Sequence, residues 1–165
     1  MLEIGIEFRD VLVQLVDAGA DFVLLGGHAV AFHGHSRPTN DMDVLIRPTG
    51  LNAERVYEAL NAAGIPLGDF DIHSADFTKQ DCFVHIGMPA RTFDILNRTH
   101  RLDILGSADG VTFEEAIAEG AAFSIDGRRI PVIGISALIR NKRASGRVQD
   151  FADLKALADL GGKGA

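Results

Sequence analysis

The chain has 165 residues, and 47% of them are hydrophobic against 24% charged. That is the size and composition of a single globular domain, here expected over residues 1–165. The formal net charge of −7 argues against broad DNA or RNA binding by phosphate neutralisation. Cys82 is the only cysteine, which excludes an internal disulfide and any multi-cysteine zinc site. No apolar stretch approaches the ~20 residues of a membrane span, so no membrane partner is expected. The first residues show no signal-peptide pattern, and a reducing cytoplasm is the expected compartment.

Taken in chain order, residues 6–18 place Ile6, Val11, Leu12, Leu15 and Val16 at helical spacing, with Gly19 as the stop. Phe22 to Leu25 is a short buried strand. Gly27 to about Gly34 reads as a short helix opened by glycines. Met42 to Ile46 is a second strand closed by Pro48, and Leu51 to Ala63 an amphipathic helix ended by Gly64 and Pro66. Phe83 to Ile86, Phe93 to Leu96 and Leu102 to Leu105 read as three strands, the last two joined as a hairpin through residues 97–100.

Thr112 is placed to cap a helix over Phe113 to Ala118, with Glu114 and Glu115 in its first turn. Asp126-Gly127, between Ala122–Ile125 and Arg129–Ile133, is the strongest hairpin signal in the chain. Two helices close the sequence: Ser136 to Ala144, with Ser136 as a cap, and Val148 to Leu160. Strands after position 80 lack the alternating helices that a parallel doubly wound sheet requires. The expected fold is therefore α+β. It has a mixed, mostly antiparallel sheet flanked by helices, with a core over about 20–135 and a helical closure over about 136–160.

The informative stretch runs from Val23 to Ile46. An apolar strand enters Gly26-Gly27, and thirteen residues separate Gly27 from the pair Asp41 and Asp43. Glycines let backbone approach a phosphate closely, and a helix start offers unpaired N–H groups. Residues two apart on a strand share a face, so both carboxylates point one way while Met42 and Val44 point into the core. Two like charges on one face need a cation between them. Mg²⁺ (or Mn²⁺) suits the pair, because it takes carboxylate and phosphate oxygens together. A plain strand–helix turn and a solvated strand edge are the bland alternatives for these two features.

This pattern resembles the signature of the polymerase-beta-like nucleotidyltransferase superfamily. The likeness is greatest to its small prokaryotic members, the minimal nucleotidyltransferases and the abortive-infection type enzymes of toxin–antitoxin systems. His33-Gly34, Arg37, Thr39 and the Asp41/Asp43 pair are similar to the form those members use, as is the closing segment from Leu138 to Leu154. The resemblance covers roughly residues 20–160. It implies a nucleotidyltransferase-like fold and Mg²⁺-dependent transfer of a nucleoside monophosphate from a nucleoside triphosphate such as ATP to a hydroxyl.

The acceptor it implies is a protein, a tRNA 3′ end or a small molecule, and a cognate toxin or antitoxin is an implied partner. Gly26 and Gly27 would hold the phosphates. The resemblance also implies a third carboxylate on a neighbouring strand, completing the metal set and taking the acceptor's proton. Asp103, in Arg101 to Leu105 with Gly106-Ser107 behind it, is the first choice, and Asp94, in Arg91 to Leu96, is its alternative.

Other residues keep two readings. Arg37 contacts phosphate through its planar fork, or pairs with a nearby carboxylate. Thr39 is a nucleotide-site or plain loop residue. Lys142, Arg143 and Arg147 form a basic cluster: Lys142 or Arg147 reaches the triphosphate, or the cluster complements a helix end and bridges to Asp150 or Asp153. His28, His33 and His35 do not share a helical face, which argues against zinc, and Cys82 reads as a structural thiol. A rival to the enzyme is a non-catalytic nucleotide- or partner-binding module, an antitoxin or regulatory subunit on the same fold.

Overall fold

A computed structural model describes residue 2, residues 4–88 and residues 100–162. Asp94 and the expected strand Phe93 to Leu96 lie outside the described residues. The elements, in order, are α1 (Ile6–Asp17), β1 (Phe22–Leu24), α2 (Gly26–Phe32), β2 (Asp41–Ile46), α3 (Gly50–Ala62), β3 (Phe83–Met88), β4 (His100–Leu105), α4 (Phe113–Ile117), β5 (Ala122–Ile125), β6 (Arg128–Pro131), α5 (Ile135–Ser145) and α6 (Val148–Gly162). A 3-10 helix, Ser74–Thr78, was not expected from periodicity. It is set by His73 and Asp76, whose carboxylate accepts from the His73 N–H at 2.8 Å.

The fold is α+β. Four strands form one mixed sheet in the order β1-β2-β4-β3, and β5-β6 form a separate hairpin. β1 runs antiparallel to β2, with Phe22 opposite Ile46 and Leu24 opposite Val44. β2 and β4 are parallel, and β3 is antiparallel to β4. β4 is thus an interior strand between β2 and β3. Asp126 and Gly127 both take positive φ, 49° and 77°, as the tight turn between β5 and β6 requires.

Alternation decides the two faces. Met42, Val44, Leu102, Ile104 and Ile86 are buried at 0–1% exposure. α1 adds Phe8, Val11, Leu12 and Leu15 to that core, the spacing of one helical face. The residues between them, Asp41, Asp43, Asp103 and His85, therefore fall on the opposite face of the same strands.

Two buried polar devices fix the frame. Asn52 at the start of α3 accepts from the Asp21 N–H at 2.7 Å and donates to the carbonyls of Asp21 and Arg47, both at 2.9 Å. It thereby ties the outer ends of β1 and β2 to the helix that covers them. Thr112 caps α4 as expected, accepting from the Glu115 N–H at 3.1 Å.

α5 is capped differently from expectation. It begins one residue earlier, after Gly134, and Ser136 does not cap it. The Ser136 N–H instead donates to Glu119 Oε1 at 2.9 Å. Glu119 arrives from outside the helix, and a Cβ on Gly134 would stand 2.6 Å from its Cδ, so the cap comes from a distant residue that fills the place of a local one. Among the described residues no helix is long and apolar enough to cross a membrane.

Candidate active site

The parallel register of β2 and β4 sets Asp41 opposite Arg101 and Asp43 opposite Asp103. The antiparallel register of β3 sets His85 opposite Asp103. Three strands thus line up Asp43, Asp103 and His85 across one face of the sheet. The expectation that Asp41 and Asp43 share this face holds, and Asp103 joins them.

The two inner carboxylates, Asp43 and Asp103, face each other across the β2–β4 pair. Burial first, then the charges of Asp103 and Asp41, push the Asp43 carboxyl up to about 6, and Arg147 opposes this. His85 Nδ1 lies against Asp103 Oδ1. Asp41 is held from both oxygens by Arg101, whose Nε and Nη2 each lie at 3.0 Å.

Gly26 is required where it stands. Its φ is +64°, and a Cβ there would sit 2.1 Å from Asp43 Oδ2. The Leu25 N–H donates to the Asp43 carbonyl at 2.9 Å, fixing the start of α2 against β2. Gly27 is tight as well, since a Cβ would lie 3.0 Å from Thr39 Oγ1 and 3.2 Å from Arg37 Nη1. Thr39 Oγ1 donates to the Asp41 carbonyl at 3.1 Å. Gly26→Ala is therefore expected to cost about 1–3 kcal/mol, because the added methyl must displace Asp43 or the first turn of α2. A lower midpoint in thermal unfolding checks it.

Above the carboxylates lies a cavity of about 300 Å³. Gly26, Asp43 and Asp103 line it, with Phe83 from β3 and with Asn141 and Arg147 from α5 and the turn after it.

The basic residues divide clearly. Lys142 is 2% exposed, and its Nζ lies 2.9 Å from both Asp150 Oδ1 and Asp153 Oδ2. Arg37 grips Asp153 through Nε at 2.8 Å and Nη2 at 3.0 Å. Both residues make the ion pairs expected of them, with buried aspartates of α6, and Lys142 also lines the cavity above the carboxylates. Arg147 shares Asp150 at 3.1 Å, but its side chain is 72% exposed and belongs to the cavity wall. It is the member of the basic cluster whose charge reaches Asp43.

The histidines on α2 and at its C-terminal cap, His28 and His33, make internal contacts. His28 is 4% exposed, packed edge-on to Phe8, with the Asp41 carbonyl as its hydrogen-bond partner. Burial lowers its pKa to about 4, so it is neutral near pH 7. His33 Nε2 lies 2.7 Å from the Ile133 carbonyl. Burial, with Asp81 and Asp76, pushes the Cys82 thiol up, against a nucleophilic role.

Three site residues, Arg101, His85 and Phe83, escaped sequence reasoning, although the signal was present. The period-two rule that pairs Asp41 with Asp43 also pairs Arg101 with Asp103, and Phe83 with His85. What it lacked was the register that sets β3 and β4 beside β2.

The donor set bears on a metal in two ways. Among the described residues, no group of three or more His, Cys, Asp or Glu side chains stands ready to hold one. Asp43 and Asp103, however, are two hard oxygen donors set opposite each other on adjacent strands. Such a pair is chemically suited to a divalent cation. Asp41 joins that set only by leaving Arg101. No protein-family model matches the chain, and no curated protein is significantly similar to it.

Proposed function

We propose that the protein is a Mg²⁺-dependent nucleotidyltransferase acting on a hydroxyl acceptor. One observation carries the reading: Asp43 and Asp103 stand opposite each other on adjacent parallel strands, beside a glycine that leaves no room for a side chain, under a cavity with Arg147 on its rim. Asp43 and Asp103 would hold the ion, with Asp41 added after release from Arg101. Bound there, Mg²⁺ supplies positive charge to the phosphate oxygens.

The chain's own residues do the rest. Gly26 keeps the space beside Asp43 open to a phosphate. Arg147 offsets the charge that gathers on the leaving pyrophosphate. The acceptor oxygen forms its bond to the α-phosphorus as the bond to the bridging oxygen of the β-phosphate breaks, and that oxygen keeps the electron pair. Asp103 takes the acceptor's proton on a carboxylate oxygen, oriented by His85 at Oδ1. The acceptor hydroxyl belongs to a protein, a tRNA 3′ end or a small molecule.

The double hold of Arg101 on Asp41 and the internal pairing of Arg37 and Lys142 favour a second reading, a nucleotide- or partner-binding module without catalysis. Titration calorimetry with each nucleoside triphosphate, in Mg²⁺ and in chelator, separates the two. The enzyme reading expects binding that needs Mg²⁺ and weakens at least about tenfold, near 1.4 kcal/mol, in Asp43→Asn. Binding indifferent to both Mg²⁺ and Asp41→Ala supports the module instead.

A further inference from the structure

The sheet carries an aromatic feature that phosphate chemistry does not use. On β3, Val84 and Ile86 alternate towards the core, and Phe83 and His85 towards the carboxylates. Phe83 is 60% exposed. A single exposed phenylalanine is unremarkable; the surroundings of this one are specific.

Its ring stacks on that of His85, with planes 14° apart and centroids 6.1 Å apart. His85 is held by Asp103, so the outer ring rests on an inner one fixed to the reacting carboxylates. Phe83 also lines the same cavity as Gly26, Asp43 and Arg147. A flat apolar surface and the carboxylate pair therefore belong to one ligand-sized space.

We propose that Phe83, backed by His85, is the stacking platform for the nucleobase of the triphosphate substrate, which rests on the nucleotide reading of the site. A ring face meets any base, and overlap grows with the area of the heterocycle. The substrate class is therefore purine nucleoside triphosphates ahead of pyrimidine ones, with ATP and GTP alike.

The test measures ATP and inorganic tripolyphosphate binding in Mg²⁺ for the wild type, Phe83→Ala and Phe83→Tyr, with circular dichroism to verify folding. Phe83→Ala is expected to weaken ATP about tenfold and leave tripolyphosphate unchanged, while Phe83→Tyr keeps wild-type ATP affinity. The chain has no tryptophan, so Phe83→Trp adds a lone indole whose emission ATP should quench and tripolyphosphate should not. Equal ATP affinity in the wild type and Phe83→Ala overturns the platform, as does a parallel loss of ATP and tripolyphosphate. A wild type that binds ATP and tripolyphosphate, with Phe83→Ala inert, sinks the platform alone. A wild type that binds neither sinks the nucleotide reading and the platform with it.

Discussion

Asp43→Asn is expected to abolish transfer and, above pH 6, to make the protein more stable. The folded-state pKa of about 6 lies above the ordinary aspartate value of 3.8. The native state therefore binds more protons than the unfolded chain between those values, and wild-type stability falls as pH rises through that window. Asparagine does not titrate, keeps a donor for Asp103, and removes one of the charges facing Asp41 and Asp103.

The variant's melting temperature should thus exceed the wild type's at pH 8 without added metal, and the gap should close as the pH falls from 6 towards 4. Added Mg²⁺ should raise the wild-type midpoint and leave the variant's nearly unchanged, because an ion bound only by the native state stabilises it. Transfer should fall by about 10³-fold or more, the order lost when a group that stabilises transition-state charge is removed. A variant less stable than wild type at pH 8 would show that Asp43 is a satisfied carboxylate and not a repelled one.

Asp153→Ala carries the largest expected loss of stability. Asp153 is 0% exposed and accepts from Arg37 and Lys142. Burial pushes its carboxyl up, but the hydrogen bonds from Arg37 and then Lys142 outweigh burial and hold it at about 2. Removing it leaves Lys142, itself 2% exposed, with Asp150 alone. Breaking a buried pair from one side costs about 3–5 kcal/mol. At this chain length that lowers the melting temperature by roughly 10 °C.

The exposed pair Asp17–Arg128 is the control. Asp17→Ala should leave the melting temperature almost unchanged, because exposed pairs contribute little. The sign with pH is opposite to that of Asp43. A depressed carboxylate stabilises above its unfolded pKa, so the contribution of Asp153 is lost as the pH falls from about 4 towards 2. Thermal unfolding of the wild type, Asp153→Ala and Asp17→Ala at pH 7 measures both.

The sequence made local features legible and left long-range ones hidden. β2 announces itself as apolar residues alternating with Asp41 and Asp43, and β5-β6 through Asp126-Gly127, because period and turn chemistry are local. One of the two partner strands of β2, β4, is not local. β4 follows β2 after more than fifty residues, and nothing within either segment specifies the parallel register that brings Asp103 to Asp43.

Arg37 shows the same limit from another side. A fork two residues from Thr39 suits a phosphate and a carboxylate equally, and Asp153 lies 116 residues away. The cap of α5 came from Glu119 for the same reason: Ser136 is a good local choice, but packing delivers a distant carboxylate to the same helix end.

Labelled nucleoside triphosphates, Mg²⁺ and cell extract, incubated with the wild type and with Asp43→Asn, test the central claim most directly. Transfer of label to an acceptor by the wild type, lost in Asp43→Asn and in chelator, is the expected result. No transfer by either protein, or equal transfer by both, would contradict the assignment of Asp43 and Asp103 as a nucleotidyl-transfer site.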